Sequence, residues 1–532
     1  EEIEYKKEII AENAQIELLE WLGANPAIAY GAESDFRRFL PEVTPRLAEI
    51  YKKHRTVLDE ALAEIDPQDA GFNYAPYKFD SQFEINALGE KRKTLETQAS
   101  KPGEVLITTL DPYLSKVALN ALGDKKGVVV ILDGQSGEVL SLVSSPSFGP
   151  NALTQPALDP EQKLSYQQTL TDLLNQSGQP FFNRAVAGVY PPGSVFKLVT
   201  ALAALESGAV DSQTTVLDEG VLKVGDYSYA NWYFTQYGRT EGEISLRRAI
   251  ARSNDIFFYK AAEFVGPEKL AEMARRLGFG SNTGIELNNQ ALGLVPDPEW
   301  KQKELNEPWY LGNTYHFGIG QGDLLVTPLQ IAQMTQAITY HGVLCQPHLI
   351  KTDKQLCESL GFQNENLELV LGGMLDACST GGTAFPFFTY NQTHRQDESL
   401  SAFAQLDRGA AACKTGTAGR GAADERGYRQ THAWFTMAVG LPADLIFTQN
   451  QETASAAVEL SPLASVSADF TSQTDAQLRQ AWLAQVEEKQ NLPRLLIITV
   501  LLESNEATPY AEGSADAAPI AKTILDWMLD IN

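Results

Sequence analysis

Apolar positions in the first hundred residues recur at helical spacing. Ile3, Ile9, Ile10, Ile16, Leu19 and Leu22 mark one amphipathic helix. Leu47, Ile50, Tyr51, Val57, Leu58, Ala61, Leu62 and Ile65 mark another, which stops at Asp66-Pro67. From residue 104 the pattern becomes mixed. Residues 104–110 read as a strand and 112–122 as a helix, and 128–132 and 138–143 flank the turn sequence Asp133-Gly134-Gln135-Ser136-Gly137, a hairpin signal. Residues 246–264 and 269–277 predict helices, 409–418, 433–439 and 495–502 predict strands, and 517–529 predict a closing helix. Helices packed on an antiparallel sheet, an α+β class, accommodate this order. The change of pattern divides the chain into a spacer or pedestal over 1–103 and a large domain over 104–532.

Between the strands at 433–439 and 495–502 lie about fifty residues, an insertion spanning roughly 443–491 near the sheet edge. Residues 448–474 are rich in Ser, Thr, Ala and Gln, and 475–489 read as a helix. A flap, a partner site and a plain surface loop all fit this composition. The stretch 383–402, with Phe385, Phe387, Phe388 and Tyr390, fits both a contact surface and a packed aromatic cluster.

The chemistry concentrates in three short motifs. Ser194-Val195-Phe196-Lys197 contains the sole Ser-x-x-Lys pair, Ser253-Asn254-Asp255 follows 59 residues later, and Lys414-Thr415-Gly416-Thr417, which holds the sole Lys-Thr-Gly, comes 161 residues after that. Tyr190-Pro191-Pro192-Gly193 is a rigid turn, residues 194–205 are almost wholly apolar, and Glu206-Ser207-Gly208 supplies a stop. This predicts a buried helix with Ser194 in its first turn and Lys197 rising on the same face. A serine hydroxyl is a poor nucleophile until a neighbour takes its proton. Lysine does so only when neutral, so its pKa must fall from about 10.4 toward 7, at a cost on the order of 4 kcal/mol. Apolar surroundings and a second cation, for which Lys414 is the candidate, both act in that direction. Ser194 as a simple helix N-cap is the plain alternative, and the company of the other two motifs weighs against it.

Composition narrows the function. The net charge of −26 weighs against nucleic-acid binding. No segment reaches the ~18–20 apolar residues of a membrane helix. Four cysteines, Cys345, Cys357, Cys378 and Cys413, allow three full pairings, with Cys345 and Cys357 near enough for a small loop, and their spacing fits no zinc pattern. Cys413 precedes Lys414, so on a strand it faces the other way and packs behind the site. No metal or cofactor is expected.

Residues 190–197, 253–259, 316–330 and 414–417, together with 127–147 and 432–435, resemble penicillin-binding proteins. The likeness runs from about Val105 to the C-terminus and is nearest to the class B, transpeptidase-only members. An Arg-Gly signature of the family's N-terminal domain and a glycosyltransferase domain are not visible. The resemblance implies a five-stranded antiparallel sheet flanked by helices, with a smaller, partly helical N-terminal domain. It implies that Ser194 is acylated by a D-Ala-D-Ala stem peptide, with Lys197 as general base and Ser253 as proton relay. Lys414, Thr415, Gly416 and Thr417 would line the substrate strand, and the backbone N–H groups of Ser194 and Thr417 would form the oxyanion hole. Asp255 stands where the family usually has asparagine. A carboxylate there favours charged Lys197 and opposes its role as base unless another cation balances it. A solvated Asp255, with Asn254 facing the substrate instead, is the other reading. β-Lactams would trap the same ester, and a membrane glycan polymerase is the implied partner. The chain opens at Glu1, and the resemblance implies an N-terminal anchor and a place outside the membrane of a bacterial envelope. A β-lactam-binding sensor and a carboxypeptidase or β-lactamase-like hydrolase are the competing functions.

Overall fold

The computed structural model describes the backbone of 81–85 and 91–97, and residues 105–149, 170–176, 178–354, 356–421, 429–442, 474–489, 493–505 and 508–530. The two helices expected within 1–65, and the Ser/Thr-rich part of the insertion up to residue 473, lie outside these. The chain divides into two compact units, Glu1–Val105 and Leu106–Asn532. In the first, Ser81–Ile85 and Lys91–Thr97 pair as an antiparallel hairpin.

The second unit is built on a five-stranded sheet. Its strands are β1 (Gly127–Asp133), β2 (Val139–Ser145), β3 (Ala411–Arg420), β4 (Gln430–Gly440) and β5 (Leu495–Leu502). They lie in the order β3-β4-β5-β1-β2, with every neighbouring pair antiparallel. Central β5, Leu-Leu-Ile-Ile-Thr-Val-Leu-Leu, is buried along its whole length. A strand covered on both faces needs apolar side chains in both directions, so it reads as an unbroken run rather than an alternation.

Helices cover both faces. In chain order they include α1 (Pro112–Leu122), α2 (Lys197–Glu206), α3 (Trp232–Tyr237), α4 (Leu246–Arg252), α5 (Asp255–Val265), α6 (Asn364–Ala377), α7 (Asp475–Lys489) and α8 (Ala518–Leu529); others, among them Pro267–Arg276 and Pro328–Thr339, lie between α5 and α6. On one face Leu114 and Val117 of α1, Trp482 of α7 and Ile524 and Met528 of α8 pack on Val129, Phe435 and Ile498. On the other, Leu198 and Leu202 of α2, Phe257 and Phe258 of α5 and Leu371 of α6 pack with Val130, Ala412 and Ile497. The site belongs to this second layer. α7, the helical end of the insertion, lies on the opposite layer, where the Trp482 indole donates to Asp111 at 3.1 Å.

Two expected elements differ. Residues 105–110 are extended but form no sheet strand; Thr108 makes a single bridge to Ile350, and Thr109 donates to the Leu349 carbonyl. The apolar side chains of Leu106 and Ile107 are exposed, so burial never draws this run into the sheet. The single helix expected over 246–264 is two helices, α4 and α5, broken at Ser253. The apolar periodicity runs on through that break, which is why the pattern hides it.

Candidate active site

Ser194 lies in a 3₁₀ turn, Gly193–Phe196, that continues directly into α2. The Lys197 backbone N–H donates to the Ser194 carbonyl. Residues three apart eclipse in such a turn, which sets the serine and lysine side chains on one side. The turn is wedged from several directions. Gly193 has φ +55°, and a Cβ there would come within 2.7 Å of the Thr417 carbonyl oxygen, so only glycine fits. Its N–H donates to Gly320 at 2.8 Å, and the Trp434 indole donates to the Pro191 carbonyl at 2.9 Å. Tyr190 donates to the Glu503 carboxylate at 2.6 Å, and Arg184 and Lys126 hold the same carboxylate at 3.0 and 2.8 Å.

Ser253 ends α4 in the left-handed region, φ 54° and ψ 37°. That conformation costs a non-glycine residue about 1 kcal/mol. In consequence Asn254 becomes the N-cap of α5, its Oδ1 accepting from Phe257 N–H at 2.8 Å, while Ser253 and Asp255 turn to the lysines. Lys197 Nζ meets Asp255 Oδ1 at 2.6 Å, the Ser253 carbonyl at 2.7 Å and Ser253 Oγ at 3.4 Å. Lys414 Nζ donates to Ser253 Oγ and to the Thr415 carbonyl, both at 2.9 Å. The serine hydroxyl therefore touches both amines.

Asp255, not Asn254, faces Lys197. Asn254 is buried and does not reach the cleft, contrary to its reading as a substrate contact. Its Nδ2 donates to the buried Asp218 carboxylate at 2.7 Å. With both ends of the amide committed, it acts as a fastener for α5.

A cleft of about 640 Å³ opens over this cluster, lined by Ser194, Ser253, Asp255, Thr415, Gly416 and Thr417. Trp232, Tyr233, Gln236 and Tyr237 of α3, Phe385, and Glu512 with Ser514 complete its walls. Lys197 and Lys414 lie sealed beneath it, each 0 % exposed. Edge strand β3 runs along the cleft, where an extended peptide would find unpaired backbone groups to bond. A larger cavity, about 790 Å³, lies near Glu206, Arg247 and Glu368, but no serine–lysine pair lines it.

Along β3 the alternation separates two jobs. Ala412 and Ala418, on the face shared with Lys414, pack in the layer of α2 and α5. Ala411 and Cys413 pack in the opposite layer. Cys413 forms a disulfide with Cys378, just after α6, and Cys345 pairs with Cys357. Thr415 exchanges a 2.8 Å hydrogen bond with Thr383. The 383–402 stretch thus divides: Thr383 and Phe385 meet the cleft, while Phe387 is buried and stacks on Phe435 with ring centres 5.3 Å apart.

Electrostatics set the amines apart. Burial pulls the pKa of Lys197 down, and the Asp255 carboxylate pushes it back up. Lys414 is held well below the ordinary lysine value, first by burial and then by the positive charge of Lys197, with Asp255 opposing.

Asp218, Asn231 and Trp232 escape a sequence reading, whereas Thr383 falls within the 383–402 stretch already marked as a contact surface. Asn231 ahead of an aromatic run carried an N-cap signal, but nothing local marks Asp218 as its partner.

Residues 127–444, more than half of the chain, match the family described as the penicillin binding protein transpeptidase domain. The chain is 35 % identical over 272 residues to the peptidoglycan D,D-transpeptidase MrdA of Haemophilus influenzae, a match covering 51 % of this chain and 40 % of that relative. The chain thus matches less than half the length of that curated relative. Among solved structures it resembles PBP2 of Helicobacter pylori, in complex with MreC, with 26 % identity, a TM-score of 0.60, and coverage of 85 % of this chain and 69 % of the other. PBP2 of Pseudomonas aeruginosa, in complex with WCK 5153, gives 28 % identity, a TM-score of 0.58 and coverage of 80 % and 76 %. Motif spacing, strand order and sequence match agree: this chain belongs to the penicillin-binding protein transpeptidase family.

Proposed function

We propose that the protein is a serine D,D-transpeptidase that cross-links peptidoglycan stem peptides ending in D-Ala-D-Ala. The observation that carries this reading is the convergence of two sealed amines on the hydroxyl of Ser253, in the same cleft wall as Ser194. Ser194 Oγ attacks the carbonyl carbon of the penultimate D-alanine. Its proton passes to the Lys197 amine, with Ser253 Oγ as the relay between Lys197 and Lys414. The oxyanion lies against the backbone N–H groups of Ser194 and Thr417. The C–N bond then breaks, the departing D-alanine takes up the proton on its nitrogen, and the acyl group stays as an ester on Ser194. An amine of a second stem peptide attacks that ester, gives a proton back to the base, and frees the serine. Lys414, Thr415 and Thr417 hold the donor peptide along β3.

A β-lactam enters the same path, but its ring amide opens without losing a fragment, so the ester persists. Two disulfides fit an oxidising compartment outside the cytoplasm. The Helicobacter pylori PBP2 complex with MreC, and a similar chain from a peptidoglycan synthase complex that coordinates polymerization and crosslinking, make an MreC-like protein and a glycan polymerase the partners we expect. The decisive experiment is labelling with a fluorescent penicillin and mapping the modified residue. Ser194 carries the label and Ser194→Ala abolishes it; equal labelling of Ser194→Ala ends this reading.

A further inference from the structure

The wall helix α3 (Trp232–Tyr237) has no buried residue, so core packing gives it little support beyond the Arg252 guanidinium over the Tyr233 ring at 4.8 Å. A helix this short is stable only where its first N–H groups find fixed partners. Trp232 N–H donates to Asp255 Oδ2 at 2.8 Å, while Oδ1 of the same carboxylate meets Lys197 Nζ at 2.6 Å. Asn231 answers in the other direction. Its Oδ1 accepts from the Asp255 backbone N–H at 3.1 Å, and its Nδ2 donates to Asp218 at 2.8 Å. The Trp232 indole donates to the Arg252 carbonyl at 3.1 Å. An asparagine at 255 has one acceptor oxygen, and its NH₂ would confront the ammonium or the Trp232 N–H. A carboxylate satisfies both, which gives this chain a physical reason to carry Asp255.

We infer that Asp255 couples peptide seating to nucleophile activation: one carboxylate oxygen holds the Lys197 amine, and the other holds the aromatic wall 232–237 on which the stem peptide lies. This rests on the acyl-transfer reading of the cleft. The wall offers Trp232, Tyr233 and Tyr237 to the peptide, so a shift of the wall moves the carboxylate that sets the charge of Lys197. The charged and titratable groups that face Asp255 are Lys197 from α2, Lys414 from β3 and Tyr259 on its own helix. The Arg252–Glu241 pair lies at the end of α4.

Two substitutions separate the backbone donor from the indole. Trp232→Phe removes the indole alone, and Trp232→Pro removes the N–H as well, at a helix position where proline fits. Acylation by a fluorescent penicillin is then about ten-fold slower in Trp232→Pro than in Trp232→Phe, as for loss of a bond to a charged group. The fall of the rate on the acid side moves to higher pH in Trp232→Pro, because a carboxylate relieved of one donor attracts the ammonium more strongly. In Asp255→Asn it moves to lower pH, because the attraction is gone. Hydrogen–deuterium exchange across 231–237 quickens in Asp255→Asn, and this readout stands even if Trp232→Pro fails to fold. Equal rates in the two Trp232 variants, acid limbs moving in one direction, or unchanged exchange across 231–237 would overturn the coupling. Failure of the wild-type protein to label at Ser194 would instead remove the acyl-transfer reading beneath it.

Discussion

Lys197 and Lys414 are equally buried and touch the same serine, yet they keep different company. Lys197, on α2, has a carboxylate at 2.6 Å; Lys414, on β3, meets the neutral oxygens of Ser253 and Thr415 at 2.9 Å. Burial alone penalises both ammonium groups. The partner then decides how much of that penalty is offset, and Asp255 offsets more of it for Lys197. Lys414 bears the penalty and the repulsion of Lys197 together. Both amines are thereby lowered from the ordinary lysine value, Lys414 the further, so the two bases that share Ser253 differ in how readily each takes a proton.

Methionine at each position tests this most strongly. Lys197→Met leaves the Asp255 carboxylate in a buried site without its cation and should cost about 3–5 kcal/mol of stability. Lys414→Met removes an amine whose hydrogen bonds go to neutral oxygens and should change stability by no more than about 1 kcal/mol. Urea unfolding of both variants measures the gap, and equal losses would break the contrast. Each variant should lose at least about 100-fold in the rate of penicillin acylation, since each removes a member of the relay.

A pH series probes the same difference from another side. A lysine whose folded pKa lies below its unfolded value of about 10.4 leaves the unfolded chain holding more protons between the two values. Stability therefore rises with pH through that window, is complete above the unfolded pKa, and is lost as pH falls toward the depressed folded one. Lys414, lowered the more clearly, should contribute most of this slope. Unfolding midpoints for Lys414→Met should consequently vary less with pH than those of the wild type. A slope unchanged by this substitution would show that Lys414 is not the depressed amine.

The smallest effect concerns Thr383. Its hydroxyl bonds Thr415, whose carbonyl accepts from Lys414. Thr383→Val should disturb only the Lys414 side, at about 1 kcal/mol, and slow acylation about three- to ten-fold. The thermal transition should barely move. A loss as large as that of Lys414→Met would mean the loop at 383 does more than steady the strand.

Much of this site is legible before any coordinates. The spacing of Ser194 and Lys197, the apolar run behind them and the small residues before Lys414 each predict where a side chain points. The hairpin of β1 and β2 and the helices α1, α7 and α8 follow from local pattern in the same way. Other features leave no local trace. The unbroken apolar periodicity of 246–264 conceals the left-handed Ser253. Local pattern does not separate Asn254 from Asp255 as the partner for Lys197; the family resemblance favours Asp255, and the capping of α5 by Asn254 is what turns Asp255 inward. The run at 105–110 has strand composition but finds a loop rather than the sheet.

Periodicity within a few residues is enough to dictate the helix that carries the nucleophile, the strands, and the turn that joins two of them. Long-range packing supplied the rest. The bonds Lys197–Asp255 and Lys414–Ser253 span 58 and 161 residues. Cys378 finds Cys413 across 35. No local rule encodes contacts at such separation; they form because packing helices on the two faces of the sheet buries these side chains, the amines on one face and the cysteines on the other, where each must find a partner.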